Sequence, residues 1–201
     1  MEGVAEMTVL QYFHHLDQSV TLLINSWWCP FSDSMWIYFS NKYVWFPLYA
    51  LVAICIFWRL GWKKGLAVIL SCILTIVCCD QFANFTKEAV ERLRPCWDLN
   101  MVNGGLRVLE GKGNLYGFYS AHAANSMGFA VCSSMGLRLD KRQAYKGYDI
   151  PITIWAILVG MSRVFVGKHF FGDVLVGFFV GILFAWILAR LARWAIKKFN
   201  L

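Results

Sequence analysis

Apolar and polar positions in this chain alternate in long blocks, without the residue-by-residue patterning of a soluble fold. Five apolar runs, at about 43–58, 65–85, 119–137, 150–166 and 172–189, are divided by polar connections. Each is close to the roughly 20 residues that an α-helix needs to cross a hydrocarbon layer, the first being shortest. Pro47 predicts a kink in that first run. Pro151 suits the first turn of the fourth, and Gly177 and Gly181 give the fifth a GxxxG spacing that lets another helix approach closely. Ahead of these runs, residues 16–41 are mixed. Leu16, Val20, Leu23 and Trp27 recur at helical spacing, with Asp17, Gln18 and Asn25 elsewhere on the wheel. Pro30 interrupts, and Phe31, Met35 and Phe39 resume the stripe. Two short amphipathic helices at the membrane interface fit this pattern, with a strained additional span as the alternative. The expected fold is all-α, a polytopic membrane helical bundle of five spanning helices, or six if the N-terminal segment crosses. Residues 1–42 form its interfacial region and 43–201 its transmembrane domain.

Composition supports the membrane reading. Of 201 residues, 59% are hydrophobic and 15% charged, and mean hydropathy is +0.52. A soluble domain averages about 45–50% apolar and about 25% charged. The formal charge of +7 raises the question of a nucleic-acid partner, which the placement of the charge answers. Arg59, Lys63 and Lys64 follow the first run. Arg138, Lys141, Arg142 and Lys146 follow the third, and Arg190, Arg193, Lys197 and Lys198 the fifth. Alternating spans put all three groups on one side, which the positive-inside rule makes cytoplasmic. The basic excess is therefore topology, and no nucleic-acid partner is expected. The N-terminal segment, the glycine-rich loop at 87–117 and the turn around His169 then share the outer face of a cytoplasmic (inner) membrane. No basic residue precedes Lys42, so a cleavable signal peptide is not expected. Seven cysteines give no framework, although Cys29 and Cys96, both outside the hydrocarbon, could pair; none has zinc-site spacing.

Three stretches on that outer face carry chemistry. In 162–173, Arg163, His169 and Asp173 sit between two apolar runs, where ionisable groups are costly and usually functional. His169 and Asp173 are four apart, so in a helix they share a face, and a carboxylate behind an imidazole fixes its tautomer. In 87–95, Lys87 and Arg94 are seven apart, two helical turns, and point the same way ahead of Pro95. Taken alone, this stretch also fits a solvated helix end with a Lys87–Glu91 surface pair. In 119–122, Ser120 is a natural N-cap, and the free N–H groups of a helix start attract anions beside His122. Cations and a helix start ask for an anion, most simply a phosphate. Two histidines, one with a carboxylate, supply a nucleophile and a general acid. The chemistry expected is phosphoryl transfer from a membrane-borne phosphate ester, with no metal and no cofactor.

The ordered set Lys87-x6-Arg94-Pro95, Ser120-Ala121-His122 and Ser162-Arg163-x5-His169-x3-Asp173 resembles the signature of the type 2 phosphatidic acid phosphatase superfamily. The resemblance covers about residues 87–181 and implies a PAP2/haloperoxidase-like bundle. It further implies that His169 attacks phosphorus, forming a phosphohistidine, with Asp173 holding its ring. His122 would protonate the leaving alkoxide and then activate water. Lys87, Arg94 and Arg163 would grip the phosphate, with Ser120 and the Ala121 N–H. Tyr119 and Ala121 depart from the proline and glycine of the family pattern. Ala121 keeps its N–H, and its methyl is tolerated where φ is negative.

The function this implies is hydrolysis of a phosphate ester or diphosphate of a membrane lipid. Lipid A phosphate and undecaprenyl diphosphate are favoured because the site faces outward, and phosphatidylglycerophosphate or phosphatidate are the alternatives. A lipid phosphotransferase and a catalytically silent lipid-binding protein stay open. The partners expected are the lipid substrate and the bilayer.

Overall fold

The computed structural model describes residues 8–142 and 144–201, and among these all regular structure is helical. The helices are α1 (Val9–Asn25), α2 (Pro30–Ser40), α3 (Phe46–Val90), the short α4 (Leu99–Asn103), α5 (Ala121–Leu137), α6 (Lys146–Phe165) and α7 (Phe171–Lys198). Three helical stretches, Lys42–Val90, Lys146–Phe165 and Phe171–Lys198, are long and apolar enough to cross a membrane.

The first of these is two arms and not one rod. As a straight helix its 45 residues would run about 67 Å. Gly61 breaks it, with φ 75° and ψ 176°, a conformation that only glycine adopts without strain. Beyond it the chain doubles back: a Cβ placed on Gly65 would lie 3.3 Å from the Phe57 Cα. Eight residues of straight helix would separate them by about 12 Å. The first two apolar runs are thus antiparallel arms hinged at Gly61, with Arg59, Lys63 and Lys64 at the bend. Pro47 produces no kink, because it falls in the first turn of α3, where no hydrogen bond is lost. Pro151 is the converse correction. Helix α6 begins at Lys146, earlier than expected, and leaves Pro151 inside it.

Helix α5, 17 residues long, is the centre of the bundle, enclosed by α3, α6 and α7. Its small residues explain the position. A Cβ on Gly177 would meet the Ser120 carbonyl, and one on Gly181 the Ala124 carbonyl. The GxxxG spacing on α7 therefore docks α5 backbone to backbone. Around this seam Val52, Ile56, Val68, Met127, Phe129, Ile152 and Trp155 make the main core.

The two N-terminal helices form as expected, α1 starting at a Thr8–Gln11 capping box and α2 with Pro30 in its first turn. The face that α1 buries is the reverse of a soluble helix. Gln18, Thr21 and Asn25 are buried against the bundle, while Val9, Leu10, Phe13, Leu16 and Leu23 are exposed. In a lipid solvent apolar side chains gain nothing by hiding, whereas polar groups must find partners. The basic turns lie together at the end of the bundle opposite the start of α5. Arg59 Nη2 is 2.9 Å from Asp140 Oδ2, which Arg142 also binds, and Arg142 Nη2 donates to the Arg59 carbonyl at 3.1 Å. Cys29 and Cys96 are both free thiols, Cys96 donating to the Lys112 carbonyl.

Candidate active site

The N-terminal ends of α5 and α7 and the C-terminal end of α6 meet beside the end of α3. There they enclose a cavity of about 560 Å³ whose wall includes Lys87, Arg94, Ala121, His122, Arg163 and His169. Six of the eight candidate residues thus face one space. Ser120 and Asp173, both fully buried, stand behind that wall.

Each cation arrives by its own route. Lys87 sits on the last turn of α3. Arg94 is not on that helix, contrary to the two-turn spacing: Glu91 takes a left-handed φ of 51° and ends α3. Residues 92–94 then run extended, bridged at Leu93 to Tyr116, and Arg94 Nε donates to the Tyr116 carbonyl at 3.1 Å. Gly117 has to be glycine here, since a Cβ would stand 2.8 Å from Arg94 Cγ. No ion pair joins Lys87 to Glu91 among the described residues. Arg163 is buried on α6, bonded to Ser40 Oγ and 3.4 Å from Glu110 Oε2, and its Nε has no partner among the described residues. It does not snorkel to solvent.

His169 and Asp173 also meet by a route other than a shared helical face. His169 precedes α7, whose N-cap is Phe170, and Asp173 is the third helical residue. The Asp173 carboxylate reaches back, Oδ2 accepting from the Phe170 N–H at 3.1 Å and lying 3.5 Å from His169 Nδ1. That second contact is long for a hydrogen bond, and Nδ1 has no other partner among the described residues. Catalytic bonds of this kind often tighten only when substrate binds. With Nδ1 turned to the carboxylate, Nε2 is left for chemistry. Asp173 also holds the second motif, because its carbonyl accepts from the Ser120 N–H at 3.1 Å. Ser120 caps α5 through the Ala123 N–H. Ala121 opens that helix without a positive φ, so its methyl introduces no backbone strain.

Sequence reasoning missed the group that holds Asp173. Arg92 Nη1 donates to Asp173 Oδ1 at 2.6 Å and Nη2 to Asp17 Oδ2 at 2.7 Å, with the guanidinium stacked 4.0 Å over the Phe170 ring. Asp17 in turn accepts from the Gly172 N–H at 2.8 Å, and Thr21 Oγ1 from the Phe171 N–H at 2.9 Å. The polar stripe of α1 therefore supplies acceptors for the free N–H donors at the start of α7. Lys42, also missed, lines the cavity near His122. Both omissions carried a signal: Arg92 and Lys42 are basic residues at the end of the bundle away from the basic turns, against the charge bias of the chain.

The sequence model of the PAP2 superfamily matches residues 61–197. The chain belongs to this superfamily. Two lipid A 4'-phosphatases, from Bacteroides thetaiotaomicron and Porphyromonas gingivalis, are 29% and 26% identical to it, over 92% and 87% of this chain and 80% and 72% of their own. An undecaprenyl-diphosphatase of Sulfolobus acidocaldarius is 32% identical over 74% of this chain and 62% of its own. Among solved structures, a PAP2-type phosphatidylglycerolphosphate phosphatase from Bacillus subtilis superposes with a TM-score of 0.71 at 21% identity, covering 90% of this chain and 87% of that one. LpxE of Aquifex aeolicus gives 0.62 at 23% identity, covering 87% and 95%. At such identities the structural likeness speaks for the fold, a PAP2 membrane bundle.

Two predictions follow from the geometry of this PAP2 site. Burial first, then the positive charges of Arg94, Arg163 and Lys87, push the His169 imidazole well below its ordinary 6.5. The ring is neutral and nucleophilic at neutral pH and is protonated only as the pH falls through that lowered value. The acid limb of kcat/KM, which reports the free enzyme, is therefore expected below pH 6.5 and is expected to rise in Arg94→Gln. A limb unmoved by that substitution contradicts the electrostatic account. Arg92→Gln is expected to lower kcat about a hundredfold with KM nearly unchanged, because it misplaces the imidazole while leaving Lys87, Arg94 and Arg163 in the cavity wall. Arg92→Lys, which keeps the charge, is expected to recover part of that loss. A change confined to KM would place Arg92 in substrate binding instead.

Proposed function

We propose that this protein hydrolyses the phosphate ester or diphosphate of a membrane lipid, a lipid A phosphate or undecaprenyl diphosphate, on the outer face of the cytoplasmic membrane. The observation that carries the reading is the convergence of His122, His169, Lys87, Arg94 and Arg163 on one cavity. The phosphate lies among the three cations and the N–H groups opening α5, where the helix start favours an anion. His169 Nε2 attacks the terminal phosphorus in line with the leaving oxygen, and the P–O bond breaks as the P–N bond forms. His122 gives its proton to that oxygen, which departs as the lipid alcohol from a phosphate ester or as the lipid monophosphate from a diphosphate. Water then takes the leaving group's place, loses a proton to His122 and attacks the phosphohistidine, freeing inorganic phosphate and neutral His169. Asp173 stabilises the cationic ring formed in between.

The substrate assignment draws support from the relatives, two named for lipid A 4'-phosphate and one for undecaprenyl diphosphate. The outward orientation draws support from the two basic turns at the far end of the bundle. Helix α5, running from His122 to the basic turn at Arg138, separates those ends by about 25 Å.

The test is phosphate release by the purified protein from lipid A phosphate, undecaprenyl diphosphate, phosphatidylglycerophosphate and phosphatidate, with and without chelator. Turnover of one of the first two, unchanged by chelator and lost in His169→Ala, is expected. Release from none of the four removes the proposal, and full activity in His169→Ala removes its mechanism.

A further inference from the structure

The cavity does not end at the phosphate-binding side chains. It continues between α3 and α5, where Asp80 and Asn125 join Tyr49 and Ile76 in its wall. Asp80 is seven residues before Lys87 on the second arm of α3, so it shares that face and lies about 10 Å deeper along the helix. Asn125 is three residues after His122 on α5, on the face that carries His122 into the cavity. Asn125 Nδ2 donates to Asp80 Oδ1 at 2.8 Å, the one protein bond of that carboxylate among the described residues. The Asn125 carbonyl oxygen is buried and has no partner among the described residues.

A carboxylate is an odd group to place in a pocket built for anions. A polar tie between α3 and α5 would use one oxygen of Asp80 and the nitrogen of Asn125. It accounts neither for the charge nor for the acceptor left over on each residue, and ionisable groups inside a membrane bundle are seldom without use. What the pair lacks is a donor.

We infer that Asp80, braced by Asn125, is a headgroup subsite that accepts hydrogen bonds from the hydroxyl or amide N–H groups of a phosphorylated sugar. This deepens the lipid-phosphatase reading and rests on it. Undecaprenyl diphosphate and phosphatidate carry no donor beyond their phosphates, and phosphatidylglycerophosphate carries one hydroxyl close to its phosphate. A phosphorylated N-acyl hexosamine lipid carries ring hydroxyls and an amide N–H several bonds from phosphorus. It alone among these reaches from Lys87 to Asp80 with donors to offer. Sites built around such a bond discriminate against ligands that lack the donor, because the acceptor is then left buried and unpaired.

The experiment compares wild type, Asp80→Ala and Asp80→Asn on a monophosphorylated N-acylglucosamine lipid and on undecaprenyl diphosphate, with thermal unfolding of each variant as a check on folding. In Asp80→Ala, kcat/KM for the sugar lipid is expected to fall about tenfold to a hundredfold, the scale of a lost bond to a charged acceptor. Asp80→Asn keeps an acceptor oxygen and falls by less. The polyprenyl substrate keeps its wild-type rate in both variants. An equal loss on both substrates in a variant that unfolds at the wild-type temperature, or no loss on the sugar lipid, overturns the inference. A wild-type protein that turns over undecaprenyl diphosphate and not the sugar lipid overturns the inference alone, and one that releases phosphate from none of the four lipids overturns the lipid-phosphatase reading and the subsite with it.

Discussion

Asp173 is a carboxylate with no exposure to solvent in a bundle whose outer surface is hydrocarbon. Leaving one partner out of a buried pair of this kind costs about 3–5 kcal/mol, so its surroundings are under strict constraint. One oxygen belongs to Arg92, and the other to the Phe170 N–H and the His169 ring. Its carbonyl holds the Ser120 N–H, and through it the start of α5 and His122. His169 and His122 are therefore positioned by the same residue, one from its side chain and one from its backbone. The close α5–α7 seam at Gly177 and Gly181 makes that double grip possible, since any bulk there would push Ser120 away from Asp173.

The same constraint explains the N-terminal helices. Arg92 would be a half-buried cation facing one carboxylate if Asp17 did not bind its other arm. Asp17 and Thr21 also satisfy the N–H groups of Gly172 and Phe171, and Asn25 Nδ2 donates to the carbonyls of Val164 and Phe165 at the end of α6. Helix α1 thus closes the polar ends of the two helices that flank His169, with its apolar side chains turned outward. Ser40, at the end of α2, and Glu110 likewise hold Arg163. A segment that reads as an interfacial appendage is joined to the site through hydrogen bonds.

Much of this was legible in the residues and some was not, for identifiable reasons. The five apolar runs and the three motifs gave the helices and the cavity, because bilayer thickness and the grouping of ionisable residues leave few alternatives. The reasons for two juxtapositions were misread. Lys87–Arg94 and His169–Asp173 both have helical spacing, yet Arg94 and His169 lie outside helices, brought in by a left-handed Glu91 and by an N-cap at Phe170. Short spacings are satisfied by more than one backbone path, and a pattern of residue types cannot choose between them. Arg92 and Asp17 escaped notice because their partnership spans 75 residues and has no periodicity to announce it. The role of α1 was hidden because an interfacial amphipathic helix accounts for its apolar stripe and leaves its polar positions, Asp17, Gln18 and Asn25, without assigned partners.

The central claim is that His169, held by Asp173 and Arg92, is the atom donor to phosphorus. It is tested most directly by quenching the enzyme in alkali during turnover of a radiolabelled lipid phosphate and mapping the label by mass spectrometry of peptides. The account predicts acid-labile, alkali-stable phosphate on His169. Label on His122 or any other side chain, or an actively turning-over enzyme that never carries label, would contradict it.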